Sequence, residues 1–449
     1  QMRYGVDGTP VVLRVDANND GTIEHAAGDE AYVFFGLRRG GSSYYALDIS
    51  DPESPPRILW KISPTVGGSF DELGLTFSTP IVGRVNYSGL PVDVLIFGGG
   101  YAGGWNGDYT ARLAKDVGAA DDAVGNAIYI VNARTGELVW KAVRGDIGAR
   151  SNVEFQHAGL VDSIPSPVAA LKTPQGNIHR LYVGDSGGAV WRADIPPIIQ
   201  SNDNHRRDNW FLTKLADLGA DENEPGGAPA DDRRFFHVPD TVHTFDSAGD
   251  FDGVLIQSGN RADPNETEVA NYIFYIKDRN TVSGNAAVRA QNDVDDPSGR
   301  YQFVDLSDQT TCIVTTEQAN TGGGASCADR TLPNGWKVAL AEPGEKGLSS
   351  PLTDGGLVFA STFVPGTADA CSLRRGRGQL HVLRLANGTP VANEVGHYDL
   401  GEGIPAAAVS LGDVIYVPGG GIDLHDLDGD GTRDKTNLLP SQAGKMFRT

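Results

Sequence analysis

At 449 residues, with 39% hydrophobic and 8% aromatic content, the chain is long enough for two or three ordinary domains or for one repeat architecture. Its net charge of −21 argues against a nucleic-acid surface, which has to be basic, and suits a secreted protein that collects divalent cations. No apolar run approaches the ~18 residues of a membrane span.

The 58 Gly and 25 Pro punctuate the chain throughout, as many short strands joined by turns require. In chain order, a loose repeat emerges. A Pro-containing apolar strand is followed by a second apolar strand ending in Gly, then an alternating strand, a turn, and a closing Trp or apolar residue. The first copy has Asp7-Gly8-Thr9-Pro10-Val11-Val12, Tyr32–Gly36, Tyr45–Asp48 and Ile58-Leu59-Trp60. The second has Ser78–Val82, Val94–Gly98, Ile128–Asn132 and Leu138-Val139-Trp140, and the third has Ser166-Pro167-Val168, Leu181–Asp185, Ala189–Asp194 and Trp210-Phe211-Leu212. Less regular copies follow at Thr241–His243 with Val254–Ile256 and Tyr272–Ile276, and at Ser350–Leu352 with Val358–Ala360 and Leu380–Leu383. The last pairs Ile404-Pro405-Ala406 with Val414–Val417. A seventh set can be assembled from Tyr301–Val304, Thr311–Val314 and Trp336–Leu340.

Short repeats of this kind are propeller blades: one four-stranded sheet buries too little alone, and stacking blades buries both faces. The expectation is an all-β chain, 1–449, forming a single β-propeller domain. It has seven blades of four antiparallel strands, or six if the seventh set forms none. The polar segments 102–122, 202–233, 280–300 and 305–334 are read as long inserted loops on its faces.

Two loops carry the spacing of calcium sites. Asp426-Leu427-Asp428-Gly429-Asp430-Gly431-Thr432-Arg433-Asp434 has carboxylates at positions 1, 3, 5 and 9, Gly at 6 and a backbone carbonyl from Thr432 at 7. Calcium takes six to eight hard oxygens, and alternate residues of a tight turn can aim theirs at one centre. Asp16-Ala17-Asn18-Asn19-Asp20-Gly21-Thr22-Ile23-Glu24 repeats the grammar, with Asn18 at position 3, the Thr22 carbonyl at 7 and Glu24 at 9. Asn437 and Ala27 stand at position 12, where a bidentate Glu is usual, and Asp29 and Glu30, just beyond Ala27, could complete the shell of that loop. A third acidic segment, Asp246–Gly253, has the wrong phase.

The remaining signals are weak. Cys312 and Cys327 flank the polar segment 318–325, which a bridge in an oxidising compartment could close, though Cys371 could take either partner. No zinc, metalloprotease or nucleophile-elbow pattern occurs, and His237 and His243 sit six apart, a spacing of about 20 Å in a strand. Gly98–Gly100 and Gly419–Gly421 follow strands with no helix after them, which disfavours a phosphate cradle. Arg144-Gly145-Asp146 is the integrin tripeptide, common by chance in so Gly- and Asp-rich a chain.

Val6–Pro10, Gly40-Gly41 with Tyr45–Pro52, and Tyr182-Val183-Gly184-Asp185 with Gly188 and Trp191-Arg192 resemble the C-terminal domain of the PilY family. So do Gly344-Glu345-Lys346 and Gly376–Leu383. The resemblance covers nearly the whole chain. It implies a seven-bladed propeller with quinoprotein-like repeats, in a type IV pilus biogenesis factor and tip adhesin rather than an enzyme. It further implies calcium-dependent control of pilus extension and retraction, twitching motility and surface attachment. The expected partners are pilin and minor pilins at the tip, with a host receptor or surface glycans beyond them. The expected location is the cell surface, reached through the periplasm, and no signal-peptide pattern stands at Gln1–Gly5. Where the family carries a calcium loop before Tyr-x-Gly-Asp, this chain has Leu171–His179 without a carboxylate, so that site does not transfer. Rival readings are a pyrroloquinoline quinone dehydrogenase, which needs an adjacent-cysteine pair absent here, and a carbohydrate- or receptor-binding propeller.

Overall fold

A computed structural model describes residues 5–87, 89–103, 121–146, 151–196, 207, 209–219, 228–281, 335–366, 376–391, 397–411 and 414–417. The chain forms two compact units, Gln1–Leu215 with Val282–Pro297, and Ala216–Thr281 with Ser298–Thr449.

The first unit holds three sheets whose strands follow one another in sequence. Sheet one is β1 (Val11–Val15), β2 (Glu30–Gly36), β3 (Tyr44–Asp48) and β4 (Arg57–Ile62). Sheet two is β5 (Ile81–Asn86), β6 (Pro91–Gly98), β7 (Ala127–Asn132) and β8 (Leu138–Arg144), with β9 (Glu154–His157) added parallel to β8. Sheet three is β10 (Ala169–Lys172), β11 (Ile178–Gly184), β12 (Ala189–Asp194) and β13 (Phe211–Asp217), the last crossing the unit boundary.

These are the first three sequence copies, with one systematic shift. Ser-Thr-Pro and Ser-Pro lie just before β5 and β10 rather than inside them, because proline has no N–H for the ladder. The serine is used instead: Ser78 Oγ accepts from Gly98 N at 2.9 Å and donates to Ser166 O at 2.8 Å. Strand β9 was not foreseen, since Glu-Phe-Gln-His carries no strand signal apart from Phe155.

Sidedness follows from period two. In sheet one, Val11, Phe34, Ala46 and Trp60 form one cross-strand row facing sheet two, with Phe97, Tyr129 and Val131 opposite. The neighbouring row, Val12, Val33, Leu47 and Ile58, points the other way, leaving Val12 53% and Ile58 63% exposed. Sheet two is buried on both faces, so Ala127–Val131 reads as an unbroken apolar run.

The second unit holds sheet four, from β14 (Asp240–Asp246), β15 (Gly249–Gln257), β16 (Tyr272–Asp278) and β17 (Gly335–Ala339). Sheet five is built on β18 (Lys346–Gly347), β19 (Leu352–Asp354), β20 (Leu357–Val364), β21 (Arg377–Arg384) and β22 (His397–Glu402). A hairpin of β23 (Val409–Leu411) and β24 (Val414–Tyr416) packs Ile415 and Val417 on the face of sheet five formed by Leu357, Phe359, Leu380 and Val382.

Two expectations are corrected here. Trp336 does not belong to a separate seventh sheet: it lies in β17, opposite Tyr275 of β16, and closes sheet four. The remaining members of that seventh set, 301–304 and 311–314, lie outside the described residues. The first strand of the last copy is Val409–Leu411, not Ile404–Ala406, where Pro405 again precedes the ladder.

The same device locks neighbouring sheets in each unit. Trp60 donates its indole N–H to Ala133 O at 3.0 Å, and Trp336 to Leu385 O at 2.7 Å. Each indole lies on a turn glycine, Gly136 (φ 72°) or Gly388 (φ 68°), where an added Cβ would come within 2.8 Å of the ring. Only glycine allows both the left-handed backbone and that approach.

Candidate metal loop and the other site residues

The loop from Asp16 to Glu24 joins β1 to β2, and the Asp16, Asn18 and Asp20 side chains bond within it. Asp16 accepts from the N–H of Gly21 at 2.8 Å and of Asp20 at 3.3 Å. Asn18 Oδ1 accepts from Asp20 N at 3.1 Å, and its Nδ2 donates to Asp20 Oδ2 at 2.8 Å. Asp20 Oδ1 accepts from Thr22 N at 2.8 Å. Asn19 (φ 59°) and Gly21 (φ 85°) take the left-handed turns that permit this, with Gly21 at the bend its position predicted.

The structure therefore brings Asp16, Asn18 and Asp20 together and leaves Glu24 exposed at the rim. Asp29 has a part that the spacing did not reveal. It is 1% exposed and accepts from Ala17 N (2.8 Å) and Glu24 N (2.9 Å), stapling the two ends of the loop. Glu30, beside it, pairs with Arg134.

Among the described residues, no group of three or more His, Cys, Asp or Glu is arranged to hold a metal. The donor chemistry nevertheless suits a hard cation. Asp16, Asn18 and Asp20 present oxygen donors on one turn, and an ionised carboxylate has about four lone-pair sites, of which the backbone amides occupy only some. The loop holding Asp426, Asp428, Asp430, Thr432 and Asp434 lies outside the described residues, as do all three cysteines and Gly419–Gly421.

Asp246–Gly253 is the turn and outgoing strand of the β14–β15 hairpin. Lys277 (2.9 Å) and Arg279 (2.7 Å) grip the Asp246 carboxylate, and the Arg279 hydrogen bond above all holds it far below the usual carboxylate range. Asp252 is buried against His243 Nδ1 at 2.8 Å. The Asp246 charge is already matched. Leu171–His179 makes a tight hairpin in which Thr173 N donates to Asn177 O and Gly176 N to Thr173 O.

Gly99 and Gly100 are backbone crossings, where a Cβ would lie 2.4 Å from Gly125 O and 2.3 Å from Leu75 O respectively. Arg144 pairs with Asp121, while Asp146 is exposed and its N–H bonds Gln156. In the Tyr182–Trp191 motif, Asp185 ties the β11–β12 turn together through Gly187 N, Ala189 N and the Trp191 indole.

Gly344-Glu345-Lys346 and Gly376–Leu383 are two of the family-like motifs. The structure joins them. Glu345, 2% exposed, accepts from Thr362 Oγ1 at 2.6 Å and lies 2.7 Å from His381 Nε2. Gln379, buried opposite Thr362, continues this polar row on the face of sheet five that packs on sheet four. Burial pushes the Glu345 carboxyl up, but the bonds from His381 and Thr362 outweigh it and hold it below its ordinary 4.5. Lys346, on the opposite face, reaches Glu266.

Residues 1–213 match the family model described as the PilY1 β-propeller domain. The "Type IV pilus biogenesis factor PilY1 homolog" of Xylella fastidiosa is 25% identical over 416 residues, covering 88% of this chain and 24% of that protein. "Type IV pilus biogenesis factor PilY1" of Pseudomonas aeruginosa PAO1 is 25% identical over 193 residues, 43% of this chain and 13% of that protein. The chain thus spans at most about a quarter of the length of these relatives. The crystal structure of the Pseudomonas aeruginosa PilY1 C-terminal domain aligns with a TM-score of 0.54 at 17% identity, covering 86% of this chain and 72% of that one, which shows a shared fold. The chain is thus similar in sequence to PilY1 proteins and shares the β-propeller fold of the PilY1 C-terminal domain.

Proposed function

We propose that this chain is the propeller domain of a type IV pilus biogenesis factor that also serves as a tip adhesin. The observation that carries the reading is the relative named as such a factor, aligned along 88% of the chain. The domain is non-enzymatic and works at the cell surface, against pilin and minor pilins. Calcium held by Asp16, Asn18, Asp20, the Thr22 carbonyl and Glu24, and by Asp426, Asp428, Asp430, the Thr432 carbonyl and Asp434, sets the balance of pilus extension and retraction. That balance governs twitching motility and attachment. Asp16, Asn18 and Asp20 would hold the ion, which would supply charge neutralisation for the two carboxylates, while Asp29 keeps the loop ends fixed. Extracellular loops of this type bind at ~10⁻⁴–10⁻³ M.

The test is deletion of the propeller-coding region in the producing bacterium, with surface pili counted by electron microscopy. Loss of pili and of twitching zones is expected. Piliation at the parental level would contradict the assignment.

A further inference from the structure

The buried row in sheet five has a feature that pilus biogenesis and calcium binding leave unused. Glu345, Thr362, His381 and His397 stand on four successive lines of one sheet face: the entry to β18, then β20, β21 and β22. His381 and His397 are direct cross-strand partners with ring centroids 5.7 Å apart. Glu345, the innermost member, is an acceptor through Oε1 to both Thr362 and His381. An ionised carboxylate has no proton to give, so His381 must place its proton on Nε2. The orientation of the His381 ring is thereby fixed, and His397 packs against it.

We propose that the Glu345–His381–His397 row is a proton-operated latch on β22, closed near neutral pH and released on acidification. When His397 takes a proton, it becomes a cation pressed against an imidazole already committed to Glu345. The opened strand, wet and separated from His381, holds that proton better. Acidification therefore favours the opened strand. Strand β22 also supplies Leu400 and Tyr398 to the face that carries the β23–β24 hairpin, so release of β22 loosens the hairpin's seat as well.

The charged groups around His397 support the direction. Burial disfavours its charged form first, then His381 and Arg377 on β21; Glu345 and Glu342 act in the opposite sense. Glu342 is itself paired with Arg377 at 2.9 Å. On β22, Asp399 stands opposite Gln379 and Glu402 opposite Arg377, while Tyr398 faces the hairpin side. The balance holds His397 below its ordinary 6.5. A group depressed in this way contributes stability above 6.5 that is lost as pH falls through its folded value.

The experiment is hydrogen–deuterium exchange on the intact chain at pH 7.5 and 5.5, corrected for intrinsic rates. Peptides across His397–Glu402 should open several-fold, and at most about tenfold, more at pH 5.5 than at pH 7.5, while β2 keeps its protection. His397→Gln should abolish the difference between the two pH values. Equal protection of β22 at both, or an undiminished difference in His397→Gln, overturns the latch. A histidine NMR titration of the wild-type chain needs no variant: a His397 midpoint below 6.5 supports the proposal, and one at or above 6.5 overturns it.

Discussion

The two units solve one packing problem with the same indole-on-glycine lock and fill the space beside it differently. Where sheet one meets sheet two, the lock of Trp60 on Gly136 sits among Phe34, Tyr44, Phe97 and Tyr129. Where sheet four meets sheet five, Trp336 on Gly388 has Tyr275, Val358 and Leu383 on one side, and the apolar face then gives way to Ala360, Thr362, Gln379, His381 and Glu345. An apolar interface is indifferent to pH, whereas a buried carboxylate–imidazole row holds only while its protonation state is right. The stack of sheets one and two is built as a permanent one and that of sheets four and five as a conditional one.

The sharpest way to break this comparison is to remove each lock. Trp336→Ala should destabilise the second unit by about 3–5 kcal/mol and Trp60→Ala the first by a similar or smaller amount. Limited proteolysis should show each variant nicked in its own unit first, and a reversed pattern would refute the assignment. Next in size is Glu345→Gln, which weakens the bonds to Thr362 and His381 and should cost about 1–3 kcal/mol at pH 7. The Glu345 carboxyl is held below its ordinary 4.5, so its contribution is present above 4.5 and lost as pH falls through the folded value. Acid melting curves of Glu345→Gln should accordingly be flatter below pH 4.5 than those of the parent, with the first unit unchanged.

Smaller is the effect of calcium. Free ion at tenfold over the dissociation constant should raise stability by about 1.4 kcal/mol per site, and Asp20→Ala and Asp430→Ala should each remove one site in calorimetry. Retention of both sites in both variants would contradict the ligand assignment. The smallest expected effect is at Ile58, whose side chain is 63% exposed. Ile58→Lys should change stability by no more than about 0.5 kcal/mol. A loss of several kcal/mol in the melting curve would mean that the Val12–Ile58 row is covered.

What was legible in the sequence tracks what is local. β1 to β8 could be read because each strand is a short apolar run bounded by Gly, Pro or Asp, and the closing Trp60 and Trp140 lie a turn beyond their third strands. Trp336 was misplaced because β17 lies far along the chain from β16, and no periodicity links a strand to a partner across such an insert. Strand β9 escaped because parallel addition to an edge needs backbone rather than an apolar pattern.

The metal loop was legible at Asp16, Asn18, Asp20 and Gly21, since turn chemistry is local. The role of Asp29 was not, because a staple is defined by the two amides it reaches. Glu345 and His381 were noticed only as pieces of family-like motifs. Their pairing depends on the register of β18, β20 and β21, which single-sequence reading does not supply.

The most direct test is piliation of the producing bacterium as calcium is varied, comparing the parent with a strain carrying Asp20→Ala and Asp430→Ala together. The account predicts that surface pilus number and twitching respond to calcium in the parent and not in the double variant. An identical calcium response in the two strains would contradict it.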